Sequence, residues 1–137
     1  MTVAVECWVL TKMLNLTTIA YLVRDYDEAI HWFRHALQFT LIEDTDLGQG
    51  KRWVVLDAGG IHLLLAKAVG ETQISHIGKA AGTRVAYFLN TNDFTRDHGR
   101  MVAAGVKFLE HPRNEPYGTV AVFEDLYGNR WDLIERR

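Results

Sequence analysis

A chain of 137 residues, 48% hydrophobic and 23% charged, is long enough for one real core and too short for two independent domains. Its net charge of −2 gives no electrostatic case for nucleic acid or an anionic membrane as partner. The single cysteine, Cys7, cannot form an internal disulfide, and no apolar run reaches membrane-spanning length. A cytoplasmic enzyme or binding protein is expected.

Residues 1–12 lack the basic start and small-residue cleavage site of a signal peptide and read as an N-terminal extension to a domain over residues 13–137. Thr17 to Val23 alternates as a strand. Asp25 with Glu28 three residues on has capping-box spacing, and Ile30, Phe33 and Leu37 then recur at helical spacing up to about Gln38. Phe39 to Glu43 reads as a strand and Asp44 to Lys51 as a polar loop. Arg52 to Ala66 follows as a hairpin turning at Gly59-Gly60. Ala68 to Gly82 carries Gly70, Gly78 and Gly82 and is expected to be a loop-like linker.

The second part begins with a strand over Arg84 to Leu89 and a helix from about Asp93 that uses Phe94, Met101 and Ala104 and stops at Gly105. Val106 to Leu109 reads as a strand, and His111 to Gly118, with Pro112 and Pro116, as a loop. The chain then makes a hairpin. Thr119 to Phe123 is one arm, Asp125 to Asn129 the turn, and Arg130 to Glu135 the other arm, with Asp132 on the face opposite Trp131 and Leu133. A carboxylate in mid-strand needs solvent or a partner.

These two stretches repeat each other. Counting from Gly60 and Gly128 places Leu64 where Asp132 stands, and Ile19-Ala20-Tyr21-Leu22-Val23 matches Val85-Ala86-Tyr87-Phe88-Leu89. A duplicated unit is inferred, with modules at about 14–67 and 83–137 joined by the linker at about 68–82.

Strand, helix, strand, strand, strand, written twice, resembles the vicinal oxygen chelate superfamily, which includes glyoxalases, bleomycin-resistance proteins and extradiol dioxygenases. The likeness rests on the first strand and helix of each half and on the ending Phe123-Glu124-Asp125-Leu126-Tyr127-Gly128-Asn129-Arg130-Trp131-Asp132-Leu133-Ile134-Glu135. It implies an α+β fold of two tandem βαβββ modules around a partial-barrel cleft, commonly completed in a homodimer. Metal-dependent members take ligands from the first and last strands of each half. Carried over, those positions are Thr18, Leu64, Arg84 and Asp132, of which only Asp132 is an ordinary ligand. No metal or other cofactor is therefore expected.

Arg84 beside Asp132 reads either as an anchor for a carboxylate, phosphate or carbonyl of a ligand or as a structural ion pair filling the space of a metal. His62 shares the face of Leu64 and is either a polar contact in the cleft or a half-exposed strand histidine. Trp53, Phe88 and Tyr117 are candidates for flat apolar surface against a bound ring. His31 and His35 have ligand spacing on a helix, yet they lie on its outward face without a third donor. The expected ligand-binding set is thus Thr18, Trp53, His62, Arg84 and Asp132. Metal-free binding of a small organic or anionic molecule is the leading expectation. The alternative is a lyase, isomerase or dioxygenase of the same superfamily with unusual metal ligands, or with Asp132 or His62 as base.

Overall fold

In a computed structural model, which describes residues 14–137, two β-sheets turn their helix-bearing faces toward one shared core. The expected extension at residues 1–12, and Cys7 with it, lies outside the described residues. The elements run β1 (Thr18–Val23), α1 (Tyr26–Ala36), β2 (Thr40–Gly48), β3 (Lys51–Asp57), β4 (His62–Lys67), α2 (Gly70–His76), β5 (Val85–Asn90), α3 (Phe94–Ala103), β6 (Lys107–Phe108), β7 (Arg113–Glu115), β8 (Gly118–Glu124) and β9 (Arg130–Arg136). The first sheet has the order β1-β4-β3-β2, and the second β5-β9-β8-β6 with β7 also on β8. In each, the first strand pairs parallel with the last while the other pairs are antiparallel. This is the α+β architecture that the repeat implies.

Local chemistry sets the helix limits. The Asp25 carboxylate accepts the Glu28 N–H at 2.9 Å and opens α1, whose buried stripe is Tyr26, Ala29, Ile30, Phe33 and Ala36. His31, Arg34 and His35 lie on its exposed side. Asp93 caps α3 through the Arg96 N–H at 3.1 Å, and the helix buries Phe94 and Met101, about 1.5–3 kcal/mol of apolar transfer for each. It ends at Gly105, whose φ of +88° a glycine adopts without a Cβ clash.

Three loop expectations are corrected. Asp44 to Gly48 belongs to β2, because Asp44 pairs with Val54 and Asp46 with Arg52 across the ladder, and the Asp44 carboxylate also accepts from the Arg52 side chain at 2.8 and 3.1 Å, leaving only Gln49-Gly50 as the turn. Polar side chains there mark a solvent-facing hairpin. The stretch His111 to Gly118 contains β7, an added strand on β8, so the second sheet has five strands where four were expected. The linker contains α2, a helix with no buried side chain. Beyond it, Gly78 passes so close to the β8–β9 turn that a Cβ would lie 2.0 Å from the Tyr127 carbonyl oxygen. The Ala80 N–H reaches Asn129 Oδ1 at 3.0 Å, which fixes this segment to the same turn.

That turn also locks the two halves together. Asp125 is buried, and its Oδ2 accepts from the Tyr21 hydroxyl of β1, from Trp131 Nε1 at 3.0 Å and from Asn129 Nδ2 at 3.2 Å. Its Oδ1 accepts the Tyr127 and Asn129 N–H groups at 3.0 and 3.1 Å. Burial, and then the Asp125 charge, push the Tyr21 phenol far above its ordinary range, so the hydroxyl stays a donor. Around this cluster Tyr21 meets Phe33 edge-on at 5.1 Å, and Trp131 lies 4.6 Å from Tyr87 and 6.1 Å from Phe33 between ring centres. Trp131 is core, as its strand face predicts.

Candidate functional site

The core takes Tyr21, Val23, Val54, Leu56, Leu63 and Leu65 from the first sheet, so the alternate residues of those strands must face outward. Register arranges them in rows. Thr18, His62 and Asp57 pair across β1, β4 and β3, and Ala20, Leu64 and Val55 form the next row. One step further along β3 stands Trp53, 43% exposed, with its indole N–H donated to Glu43. Asp57 accepts the Gly59 and Gly60 N–H groups at 2.9 and 3.3 Å; these bonds hold its carboxyl below the usual range, and His62 adds to the effect.

Beside Trp53 the sheet opens. The β3–β4 ladder ends at Val54 and Leu65, although β3 starts at Lys51 and β4 runs to Lys67. The diverging arms leave an open cavity of about 830 Å³, lined also by the hairpin tip Leu47 to Gly50 and by Val69 and Gln73. Its size is that of a site for a drug-sized molecule.

On the second sheet Asp132 pairs with Phe88 and Val122, again on the face away from the core. Phe88 is 63% exposed. Asp132 Oδ1 is buried with no hydrogen-bond partner among the described residues. Desolvation raises its carboxyl pKa above the ordinary range; Arg113 opposes the shift and Glu110 adds to it. Arg113 is itself held, with Nε on Glu110 at 2.9 and 3.0 Å and Nη1 on Glu115 at 2.9 Å. Glu110 also accepts the Val122 N–H at 2.9 Å, where the outer strand is interrupted between β6 and β7.

The expected residues divide between two surfaces. Thr18, Trp53 and His62 share the outer face of the first sheet, and Asp132 lies on that of the second. Within one chain they do not meet, since both faces turn away from the shared core and the large cavity is lined by residues 26–73 alone. Arg84 is displaced from its expected place: it lies before β5, exposed in a turn, and the cation acting on Asp132 is Arg113. The sequence match of the first strands was two residues out. Ala20 pairs with Leu64 as Phe88 pairs with Asp132, so the counterpart of Thr18 falls at the bulge between Val85 and Tyr87. A two-residue slip preserves the face, and an alternating apolar pattern therefore does not reveal it. Arg113, Glu110 and Glu115 escaped notice because they lie in a stretch with two prolines and no periodicity.

Sequence comparison decides the family. Residues 15–133 match the model of the Glyoxalase/Bleomycin resistance protein/Dioxygenase superfamily. The chain belongs to that superfamily. An uncharacterised protein of Shewanella frigidimarina (strain NCIMB 400) is 52% identical over 125 residues, covering 88% of this chain and 93% of the relative. Among solved structures, UcmS2 aligns with a TM-score of 0.76 at 26% identity, covering 90% of this chain and 98% of its own. TnmS3, an antibiotic binding protein from Streptomyces sp. CB03234, aligns at 0.75 and 24% identity, covering 93% and 99%.

The superfamily's metal positions do not fit a divalent ion here. Leu64 has no donor atom, and the fourth position, at the bulge beside Ala86, offers hydrocarbon in place of the expected Arg84. Thr18 offers a weak hydroxyl and Asp132 a single carboxylate, short of the three or four donors such a site needs. Among the described residues no group of three or more His, Cys, Asp or Glu side chains is placed to hold a metal ion.

Proposed function

We propose that this chain is a small-molecule-binding member of its superfamily that holds an organic ligand without a divalent metal. The observation that carries this reading is the replacement of a last-strand ligand by Leu64, on the floor of an 830 Å³ cavity beside the exposed Trp53 ring. An apolar floor with a half-exposed indole suits a flat organic body and gives a metal nothing to bind. His62 and Thr18 supply polar contacts on the same face, and Asp132 with Arg113 supplies them on the second sheet. TnmS3 is described as an antibiotic binding protein. At 24% identity that likeness supports the fold, and the ligand reading rests on the residues above.

A homodimer belongs to this proposal. Trp53, Ile42 and Leu47 on the first half and Phe88 and Tyr117 on the second are 43–63% exposed, and a second copy would lay the first sheet of one chain over the second sheet of the other. Thr18, His62 and Trp53 would then face Asp132. No helix among the described residues is long and apolar enough to cross a membrane, and action in the cytoplasm is part of the proposal. Titration calorimetry against aromatic and heterocyclic compounds, repeated on Trp53→Ala, tests it; a hit whose affinity is indifferent to that change would refute the site.

A second reading, a metal-free isomerase or lyase, is favoured by Asp132. A carboxyl with one sealed, unpartnered oxygen and a raised pKa is suited to proton transfer nearer neutrality than a free aspartate. It predicts turnover of a bound compound with a pH profile that Asp132→Asn abolishes while binding persists.

A further inference from the structure

The charged residues that line the cavity between β3 and β4 are all of one sign. Its lining includes Lys51, Arg52 and Lys67 and no acidic residue. Arg52 is already neutralised, giving Nη2 to Asp44 at 2.8 Å and to Asp27 at 3.0 Å. The neighbouring Glu43 accepts the indole N–H of Trp53. Lys51 and Lys67 stand on the two diverging arms of the slot, and neither forms one of the ion pairs found among the described residues. Between them the wall is Leu47, Trp53, Leu64, Ala66 and Val69.

We infer that this cavity receives an organic anion, an apolar or aromatic body ending in a carboxylate or sulfonate, with Lys51 and Lys67 as its counter-charges. The inference rests on the proposed function and specifies its ligand class. A cationic ligand would meet two like charges with no acid in the lining to offset them. A neutral ligand would leave both ammonium groups unused, so the preference is for one or two negative charges at the slot's mouth. The anchoring cations are these lysines and not Arg84, which is not part of the cavity lining.

The test compares two dyes of similar shape, 8-anilinonaphthalene-1-sulfonate and the uncharged N-phenyl-1-naphthylamine, by dye fluorescence on the full chain and on Lys51→Gln, Lys67→Gln, the double variant and Trp53→Ala. Exposed ion pairs predict that each lysine change weakens sulfonate binding by about threefold and the pair by about tenfold. The uncharged dye should change less than about twofold, and added salt should erase the sulfonate's advantage. Circular dichroism checks that the exposed substitutions leave the fold intact. If the double variant binds the sulfonate as the unmodified chain does, the anion inference fails. In that case loss of both dyes from Trp53→Ala would still uphold the binding function. Indifference of both dyes to Trp53→Ala, or failure of the sulfonate dye to bind the unmodified chain, overturns the two together.

Discussion

Replacing Asp125 by alanine should remove a large share of this protein's stability, because the carboxylate is a common acceptor for three buried side-chain donors. Tyr21, Asn129 and Trp131 all donate to Oδ2, and two backbone N–H groups donate to Oδ1. A hydrogen bond to a charged group contributes about 1.5–3 kcal/mol, and a stranded buried donor costs about 1–3 kcal/mol. Water entering the space left by the side chain would recover part of this. A net loss of about 4–5 kcal/mol is expected for Asp125→Ala and about 2–3 kcal/mol for Asp125→Asn, which keeps one acceptor oxygen. Domains of this size have about 5–15 kcal/mol in total. Urea unfolding followed by far-ultraviolet circular dichroism measures the loss. A double-mutant cycle with Tyr21→Phe should show a coupling of about 1–2 kcal/mol, since the two residues belong to different halves and are joined by this bond and by Asn129, which donates to both. A loss under about 1 kcal/mol for Asp125→Ala, with an unchanged denaturant slope, would refute the view that this cluster holds the halves together.

Gly78→Ala combines a φ of +79° with a Cβ 2.0 Å from the Tyr127 carbonyl oxygen and should cost about 3 kcal/mol, or about 10 °C in melting temperature, whereas Gly105→Ala, strained in φ but facing open space, should cost about 1 kcal/mol. The raised Tyr21 pKa means that the folded chain holds that proton more tightly than the unfolded one, so stability should be intact below tyrosine's ordinary value of 10.0 and fall as pH rises beyond it; Tyr21→Phe should flatten that decline. Asp132 is also raised, so its contribution falls as pH climbs from the ordinary aspartate value of 3.8 through the raised one. Asp132→Asn should therefore melt higher than the unmodified chain at neutral pH and lose the advantage in acid. Elemental analysis of the purified protein should find no stoichiometric transition metal, and about one ion per chain, lost in Asp132→Ala, would move the protein to the metalloenzyme branch.

The duplicated unit, both principal helices with their caps, and the last hairpin were legible in the sequence because each is fixed by short-range chemistry. Asp25 meets Glu28 and Asp93 meets Arg96 within one helical turn, and strand alternation separates Asp132 from Trp131 without help from the rest of the chain. Leu64 was likewise readable as a residue that no metal can use. Tertiary structure alone decided the rest. The strand register lies two residues away from the sequence match, a slip that keeps every side chain on its face and so leaves the apolar pattern unchanged. Arg113 displaced Arg84 beside Asp132 because β7 forms only by pairing with β8, a contact across the sheet that has no signature in its own residues. The cavity exists because β3 and β4 diverge after Leu65, and its two lysines come from arms that only the folded chain brings to opposite sides of one space. Periodicity and capping act over a few residues and can be read along the chain, whereas register, cavities and the convergence of charges are properties of pairs that only long-range packing brings together.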